Sequence, residues 1–315
     1  MPTRGGLITR DEYPLLMQPR VLRSLKEQIW DKADDNIIEN FRDQWYTVKD
    51  TKDPFWQTFG MVGMGNAVRK PEGTVGRYDK FGMGRPFTMV FPTWSLGVAL
   101  SREAMEDDTQ DIIGPMITKG LKLAINEAME EDAVSQFNDG FTVVGWESDG
   151  QALFSTSHPI IRPGVDGVTT WSNRHATDAA LSISALDAAY TTLRTQKSDS
   201  GRWLRFDKPV YLDVHPTMLP TALRILQTER VIGSNYNDKN LYYKALQPRA
   251  NPRFTNPYAW FLTSDDNDFL WMNRVKPEFI THVDDVIDGT LIRTRARWGR
   301  GAVTPRGVYG SNALS

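Results

Sequence analysis

The chain has 315 residues, of which 40% are hydrophobic and 24% charged, enough to bury a sizeable core in one large domain or two interleaved ones. A net charge of −2 provides no global basic field to drive it onto nucleic acid or an anionic membrane, and the absence of cysteine excludes disulfides and thiolate metal sites. No apolar run approaches the roughly 18 residues of a membrane-spanning helix, and Leu15-Leu16-Met17 is too isolated among Pro14, Gln18 and Pro19 to be a signal core, so a soluble chain is expected.

In chain order, residues 20–45 carry Leu22, Leu25, Ile29, Ala33, Ile37, Ile38, Phe41 and Trp45 at helical spacing among many charges, which predicts a helical arm whose apolar stripe needs a partner surface. Residues 53–100 read differently. Glycines are dense (Gly60, Gly63, Gly65, Gly73, Gly76, Gly82, Gly84), and apolar residues alternate at Phe87, Met89 and Phe91 and again at Trp94, Leu96 and Val98. This is the pattern of a long extended hairpin. Two strands alone are marginal in water, so a hairpin carrying Phe81, Phe87, Met89 and Phe91 must lie on another surface. That surface is either a neighbouring subunit or the chain's own core, and both readings stand. Lys80, Phe81, Arg85 and Phe87 are the residues expected to meet a neighbour.

Over residues 115–137, Met116, Ile117, Leu121, Ala124, Ile125, Ala128, Met129 and Phe137 recur three or four apart with Lys122, Glu127, Glu130 and Glu131 between them, predicting one long amphipathic helix. Pro115 suits its first turn, and Asn138-Asp139-Gly140 predicts a stop in left-handed backbone. Residues 141–146 and 151–155 then read as a small hairpin joined through Asp149-Gly150. A second helix is expected after Ser184, capped by its side chain with Asp187, using Leu186, Ala189, Tyr190 and Leu193 and breaking at 198–201. Val210-Tyr211-Leu212-Asp213-Val214 reads as a buried strand leading into a helix opened by Pro216. Residues 232–256, rich in Asn, Tyr and Pro, read as an exposed loop before a strand at 258–262. The last piece is a hairpin turning at Asp288-Gly289, whose second strand sets Ile292, Thr294, Ala296 and Trp298 against Arg293, Arg295 and Arg297.

No catalytic or metal signature emerges. The histidines at 158, 175, 215 and 282 stand in no H-E-x-x-H or H-x-H arrangement, and His158, held extended before Pro159, reads as a turn residue that packs or hydrogen-bonds locally. Residues 60–65 have glycines but neither dinucleotide nor P-loop spacing. Glu106-Asp107-Asp108 suits the dipole of the helix that follows, and Asp284-Asp285 with Asp288 suits a turn. Ser155, Ser157 and His158 are adjacent but lack a nucleophile elbow. Arg293, Arg295 and Arg297 could meet DNA phosphates, but an acidic total favours a solvated face or inter-subunit ion pairs.

The order of parts carries a resemblance: helical arm, extended glycine-rich hairpin, long helix, the Leu153-Phe154-Ser155-Thr156-Ser157-His158-Pro159 block, a strand-helix unit and a returning strand. With the strand at 258–262 and the end pieces Arg295-Ala-Arg-Trp-Gly-Arg-Gly and Arg306-Gly-Val-Tyr-Gly-Ser, the chain resembles the tailed-phage major capsid proteins, and within them the major head subunits of Mu-like phages. The resemblance implies the α+β Hong Kong ninety-seven fold. It implies an N-terminal arm (1–53), an E-loop with flanks (54–100), a P-domain (101–208) with its spine helix at 115–137, an A-domain (209–280), and return strands with a tail (281–315). The implied function is a structural one with no catalytic residues and no cofactor: assembly as pentamers and hexamers into an icosahedral shell around double-stranded DNA, without sequence-specific binding and without a membrane. Implied partners are a separate scaffold, a portal and decoration proteins; the place is the virion, after assembly in the host cytoplasm. Some relatives seal the shell with an isopeptide bond from an E-loop lysine; Lys80 lies in that segment, but no acceptor is identifiable, so no such bond is expected. Encapsulin-type nanocompartment shells share the fold and form the nearest alternative. A carbohydrate-active hydrolase, motivated by ten tryptophans and many acids, is the alternative from another class.

Overall fold

A computed structural model describes residues 7–8, 41–65, 67–76, 78–106, 113–142, 149–162, 167–206, 210–230, 239–284 and 289–314. The strands are β1 (Leu7–Ile8), β2 (Thr47–Asp50), β3 (Phe55–Val62), β4 (Gly82–Val90), β5 (Thr93–Ser101), β6 (His158–Pro159), β7 (Thr170–Trp171), β8 (Val210–Val214), β9 (Gln247–Ala250), β10 (Trp260–Ser264), β11 (Phe269–Asp284), β12 (Gly289–Ala302) and β13 (Val308–Ser311). The α-helices are α1 (Phe41–Trp45), α2 (Arg102–Glu106), α3 (Ile113–Asn138), α4 (Ile183–Arg194) and α5 (Leu219–Gln227). A five-stranded sheet runs β1-β5-β12-β11-β2, a four-stranded sheet runs β13-β10-β8-β9, and β3–β4 and β6–β7 form separate pairs.

The long helix forms as its periodicity predicts. At about 1.5 Å per residue, the 26 residues of α3 span about 39 Å. Its buried stripe, Ile125, Met129, Ala133, Val134 and Phe137, packs with Trp271, Ala296 and Trp298 of the five-stranded sheet. Trp298 Nε1 donates to Asp132 Oδ2 at 2.8 Å, and Arg300 Nε lies 2.8 Å from Asp132 Oδ1, so one helical carboxylate pins β12 twice. Trp94, Trp298 and Trp271 stack across β5, β12 and β11, with ring centroids 5.0 and 5.8 Å apart. The expected stop at 138–140 is present but not left-handed, since the residues with positive φ lie elsewhere. Gly140 is needed there for close approach: a Cβ would meet Gln136 O at 2.7 Å and the Phe154 ring at 2.9 Å.

Residues 20–40 of the expected arm helix lie outside the described residues; its last turn, α1, puts Phe41 and Trp45 into the chain's own core. The four-stranded sheet is buried on both faces. Along β10, Trp260 and Leu262 join the core under α4 and α5, while Phe261 joins the α3 core on the other side. In the same sheet Asp213, fully buried, receives a bidentate pair from Arg249 at 2.7 and 3.0 Å and further donors from Thr263 Oγ1 at 2.6 Å and Trp45 Nε1 at 3.2 Å.

Several local expectations are corrected. The cap of α4 is Ser182, whose Oγ accepts from Ala185 N–H at 3.1 Å; Asp187 instead accepts from the Tyr242 hydroxyl at 2.7 Å. Residues 151–155 are not a strand: Leu153 and Phe154 are fully buried, Phe154 N–H donates to Gly140 O, and the Asn173 amide donates to Leu153 O. Of residues 141–146, the other half of that expected hairpin, Phe141 and Thr142 form a turn and the rest lie outside the described residues, as do Asp107, Asp108 and 285–288. The polar stretch 239–256 is not an exposed loop. It contains β9, parallel to β8, and buries Tyr242, Leu246 and Phe254, because Asn240 and Asn251 satisfy turn backbone that would otherwise need water.

Sheet membership also changes before residue 280. The chain leaves the four-stranded sheet at Ser264, contributes β11 and β12 to the five-stranded one, and re-enters the first as β13. The two crossings run side by side: Val303 N–H donates to Asp268 O at 3.1 Å, Ser264 N–H to Gly307 O at 2.9 Å, and the Thr304 hydroxyl to Asp268 Oδ2 at 2.7 Å.

Candidate assembly surface

The β3–β4 hairpin has two unlike faces because side chains alternate along paired strands. The inner face presents Trp56, Phe87 and Met89, which together with Phe91 pack on Leu270, Met272 and Val303 of the chain's own long hairpin. The seat is shaped by glycine: a Cβ at Gly301 would lie 2.4 Å from Phe87 Cζ, and one at Gly299 would lie 2.9 Å from Met89 Cγ and 3.0 Å from Phe91 Cδ1. The outer face is apolar and uncovered, with Phe55 52%, Phe59 52%, Met83 76% and Val90 71% exposed. The own-core reading therefore holds for the inner face, and the outer face is left without cover from its own subunit.

Past the strands, residues 63–81 turn back over the same subunit through polar contacts. Arg162 Nη1 donates to Asp79 Oδ1 at 3.2 Å and to Lys80 O at 2.8 Å, and Arg202 Nη2 donates to Gly65 O at 3.0 Å. Arg85 reaches Pro159 O at 3.1 Å and sits 3.6 Å from Asp199, which Arg306 also holds at 2.9 Å. Beneath them lies the sequence block that carried the resemblance. His158 is fully buried, stacked on Trp171 at 4.7 Å, with Nδ1 2.7 Å from Asp149 Oδ2 and Nε2 3.0 Å from Asn173 Oδ1. Asn173 Nδ2 donates to Leu153 O and Pro305 O, which fixes the amide. Both ring nitrogens thus face side-chain oxygens, which fixes the orientation of the ring. Burial pushes the Asp149 carboxyl up, but hydrogen bonds from His158 and the Gln151 N–H outweigh it and leave the group below the usual carboxylate value. The local role expected for His158 is what the geometry shows.

Of the residues expected to meet a neighbour, Lys80 and Phe81 are exposed. Phe87 is corrected: its ring is 7% exposed, buried on its own subunit. The Arg85 guanidinium is engaged by Pro159 O and Asp199 of the same chain and stays partly exposed. The arginines of β12 alternate with buried Thr294, Ala296 and Trp298 as the pattern predicts. Arg293 is exposed, Arg295 lies 3.5 Å from Glu278, and Arg297 donates twice to Phe91 O, at 3.2 and 2.8 Å, so Arg297 is a brace rather than an outward charge. Sequence reasoning missed Phe55 and Phe59, although their period of two around Trp56 is visible, and missed Arg162, Asp199 and Arg202, which no local pattern marks; Arg306 was singled out only as part of the closing block, without this role.

Against this geometry, the comparisons with known proteins agree with one another. The family model described as "Phage capsid protein" matches residues 88–311. The Mu-like prophage FluMu major head subunit of Haemophilus influenzae is 30% identical over 165 residues, 52% of this chain and 48% of the relative, so the chain matches about half the length of that curated relative. Among solved structures, one from Mycobacterium phage Patience has a TM-score of 0.60 at 12% identity, covering 100% of this chain and 97% of that one. One from Microbacterium phage Oxtober96 has a TM-score of 0.57 at 12% identity, covering 98% and 99%. The bacteriophage JBD30 capsid gives 0.55 at 16% identity, covering 76% and 99%. At such identities these structures speak for the fold alone, the Hong Kong ninety-seven fold, whereas the family model extends over most of the sequence from the hairpin to the last strand. This chain belongs to the phage capsid protein family.

Proposed function

We propose that this chain is the major head subunit of a tailed phage or prophage, assembling as pentamers and hexamers into an icosahedral shell that encloses double-stranded DNA. The observation that carries the reading is the outer face of the β3–β4 hairpin, where Phe55, Phe59, Met83 and Val90 line a strand pair whose other side is already seated on its own subunit. A second copy is the occupant that covers such a face once per subunit, and many modest contacts closing on one another make a shell hard to dismantle. In this reading the described parts of residues 1–53 are the arm, 54–100 the E-loop and its flanks, and α3 the spine of the P-domain, with the four-stranded sheet at the heart of the A-domain. The work is mechanical, without catalysis or cofactor. Scaffold, portal and decoration proteins are its partners, the host cytoplasm is where it assembles, and Arg293 with Arg295 contributes charge toward a neighbour or the packed genome.

Light scattering and electron microscopy of the purified chain test the proposal. Wild-type protein is expected to form closed megadalton particles, while the double variant Phe55→Ser with Phe59→Ser is expected to keep its circular dichroism and remain as small oligomers. A wild-type chain that stays monomeric or dimeric at every concentration ends the proposal. So does a double variant that closes shells as readily as the wild type.

A further inference from the structure

We propose that Arg162 and Arg202, set by Asp199, form a polar clasp that fixes the posture of the loop 63–81 on its own subunit, and that this clasp opens with ionic strength while the hairpin below stays seated. The inference concerns a single subunit and stands whether or not shells form.

The loop has no apolar anchor of its own. Its described residues from 67 to 75 and from 78 to 81 are all exposed, Val68, Val75 and Tyr78 included. Among its described residues, arginine contacts tie it to the rest of the subunit: Arg162 on the Asp79 carboxylate and the Lys80 carbonyl, and Arg202 on the Gly65 carbonyl. Asp79 also closes the loop on itself, accepting from Gly65 N–H at 2.7 Å, so one carboxylate ties the two ends of the loop together and presents them to Arg162.

The other jaw is built to stay still. Arg162 N–H donates to Asp199 O at 2.9 Å, and the Asp199 carboxylate is fixed by Arg306, whose Nε donates to Lys197 O at 2.7 Å and whose guanidinium lies 5.1 Å from the Trp171 ring centre. The turn carrying Arg202 is closed by Ser198 N–H on Arg202 O at 2.8 Å and Gly201 N–H on Ser198 O at 3.0 Å, with Gly201 at φ +73°. A braced, partly exposed jaw thus meets a loop that is held at its ends.

Solvent reaches the contact. The Arg162 and Asp79 side chains are 33% and 28% exposed, so their attraction is screened by salt, whereas burial of Phe87, Met89 and Phe91 is not. Loop and seat therefore respond to different variables, and the loop opens locally without unfolding the hairpin.

Limited trypsin digestion of the full-length chain reads this directly, because Arg69 and Lys80 are exposed cleavage points within the loop while Lys70 is shielded by Pro71. Rates are normalised to a free peptide substrate at each salt concentration. Wild-type cleavage in the loop is expected to accelerate about fivefold between about 0.05 M and 1 M NaCl. Arg162→Met and, separately, Arg202→Met are expected to start near the high-salt rate and to lose most of the salt response, while Arg224→Met, at an exposed position on α5, behaves as wild type. Hydrogen exchange of residues 86–91 is expected to stay unchanged throughout, which separates clasp opening from unfolding. A wild-type rate independent of salt overturns the proposal, as do two clasp variants that both cleave at the wild-type rate and with its salt response.

Discussion

Substituting Gly301→Ala tests whether the hairpin is truly seated on glycine. The added Cβ would lie 2.4 Å from Phe87 Cζ and 3.2 Å from Cε2, well inside contact distance. The ring has little room to yield, since Trp56 packs against it edge-on at 6.2 Å and Met89, Phe91 and Met272 complete the cluster. Overpacking a buried site of this kind costs about 1–3 kcal/mol. Against that, replacing glycine by alanine stabilises by about 0.4–1 kcal/mol through the unfolded chain. The steric effect is the larger, so a net loss of about 1–2 kcal/mol is expected, and hydrogen exchange should rise in β3 and β4 before it rises in α3. Phe87→Leu alone leaves a cavity, but combined with Gly301→Ala it supplies the missing space, so the double variant should be more stable than the sum of the singles predicts by about 1 kcal/mol. The assay is urea unfolding of the four proteins with exchange mapped by mass spectrometry. Additive single effects, or a Gly301→Ala variant as stable as wild type, would refute the seating of Phe87 on Gly301.

Arg249→Met removes the bidentate partner of buried Asp213 and leaves the carboxylate to Thr263 and Trp45, so a loss of about 3–5 kcal/mol is expected in chemical unfolding. Asp149 has its folded pKa below the unfolded value near 3.8; its stabilising contribution is complete above that value and fades as pH falls through the lower folded one. Unfolding midpoints measured from about pH 5 down to pH 2 should therefore show a shallower acid decline for Asp149→Asn than for wild type. Glu130 runs the other way: burial, set against weaker opposing contacts from Arg42 and Arg253, raises its carboxyl above 4.5, so its contribution is present at lower pH and is lost as pH rises through the folded value. A Glu130→Gln variant should accordingly gain relative to wild type between about pH 4 and 7 in the same titration. Trp298→Phe loses the hydrogen bond to Asp132 and part of the three-ring stack; about 1–2 kcal/mol of destabilisation is expected, and near-ultraviolet circular dichroism should lose the stacking signal.

Much of the architecture was legible where one periodicity dominates a segment. The α3 stripe from Ile117 to Phe137 has a single apolar face, and Thr294, Ala296 and Trp298 alternate cleanly with arginines, so their inward sides were readable. The hairpin was legible as a hairpin but not as a two-faced one. Phe55 and Phe59 are as apolar as Trp56 and Phe87, so nothing local says which side turns inward; Gly299 and Gly301, remote in sequence, decide it by leaving room for one set of rings. The stretch 239–256 misled because asparagine and proline usually mark exposed turns, whereas here Asn240 and Asn251 serve backbone groups inside a folded segment. The polar contacts that position loop 63–81 were invisible for a different reason. An arginine contacting a carbonyl far along the chain, as Arg162 does with Lys80 and Arg202 with Gly65, leaves no spacing to read.

The paired crossings between the two sheets have a mechanical consequence. A single covalent link would act as a swivel, but here two strands of backbone are laced together by Val303 on Asp268, Ser264 on Gly307 and Thr304 on the Asp268 carboxylate. Such a double-ply ribbon resists torsion, because twisting it shears the laces, yet it flexes out of its plane at little expense. A subunit whose two sheets are joined this way can bend between its halves while keeping their handedness fixed.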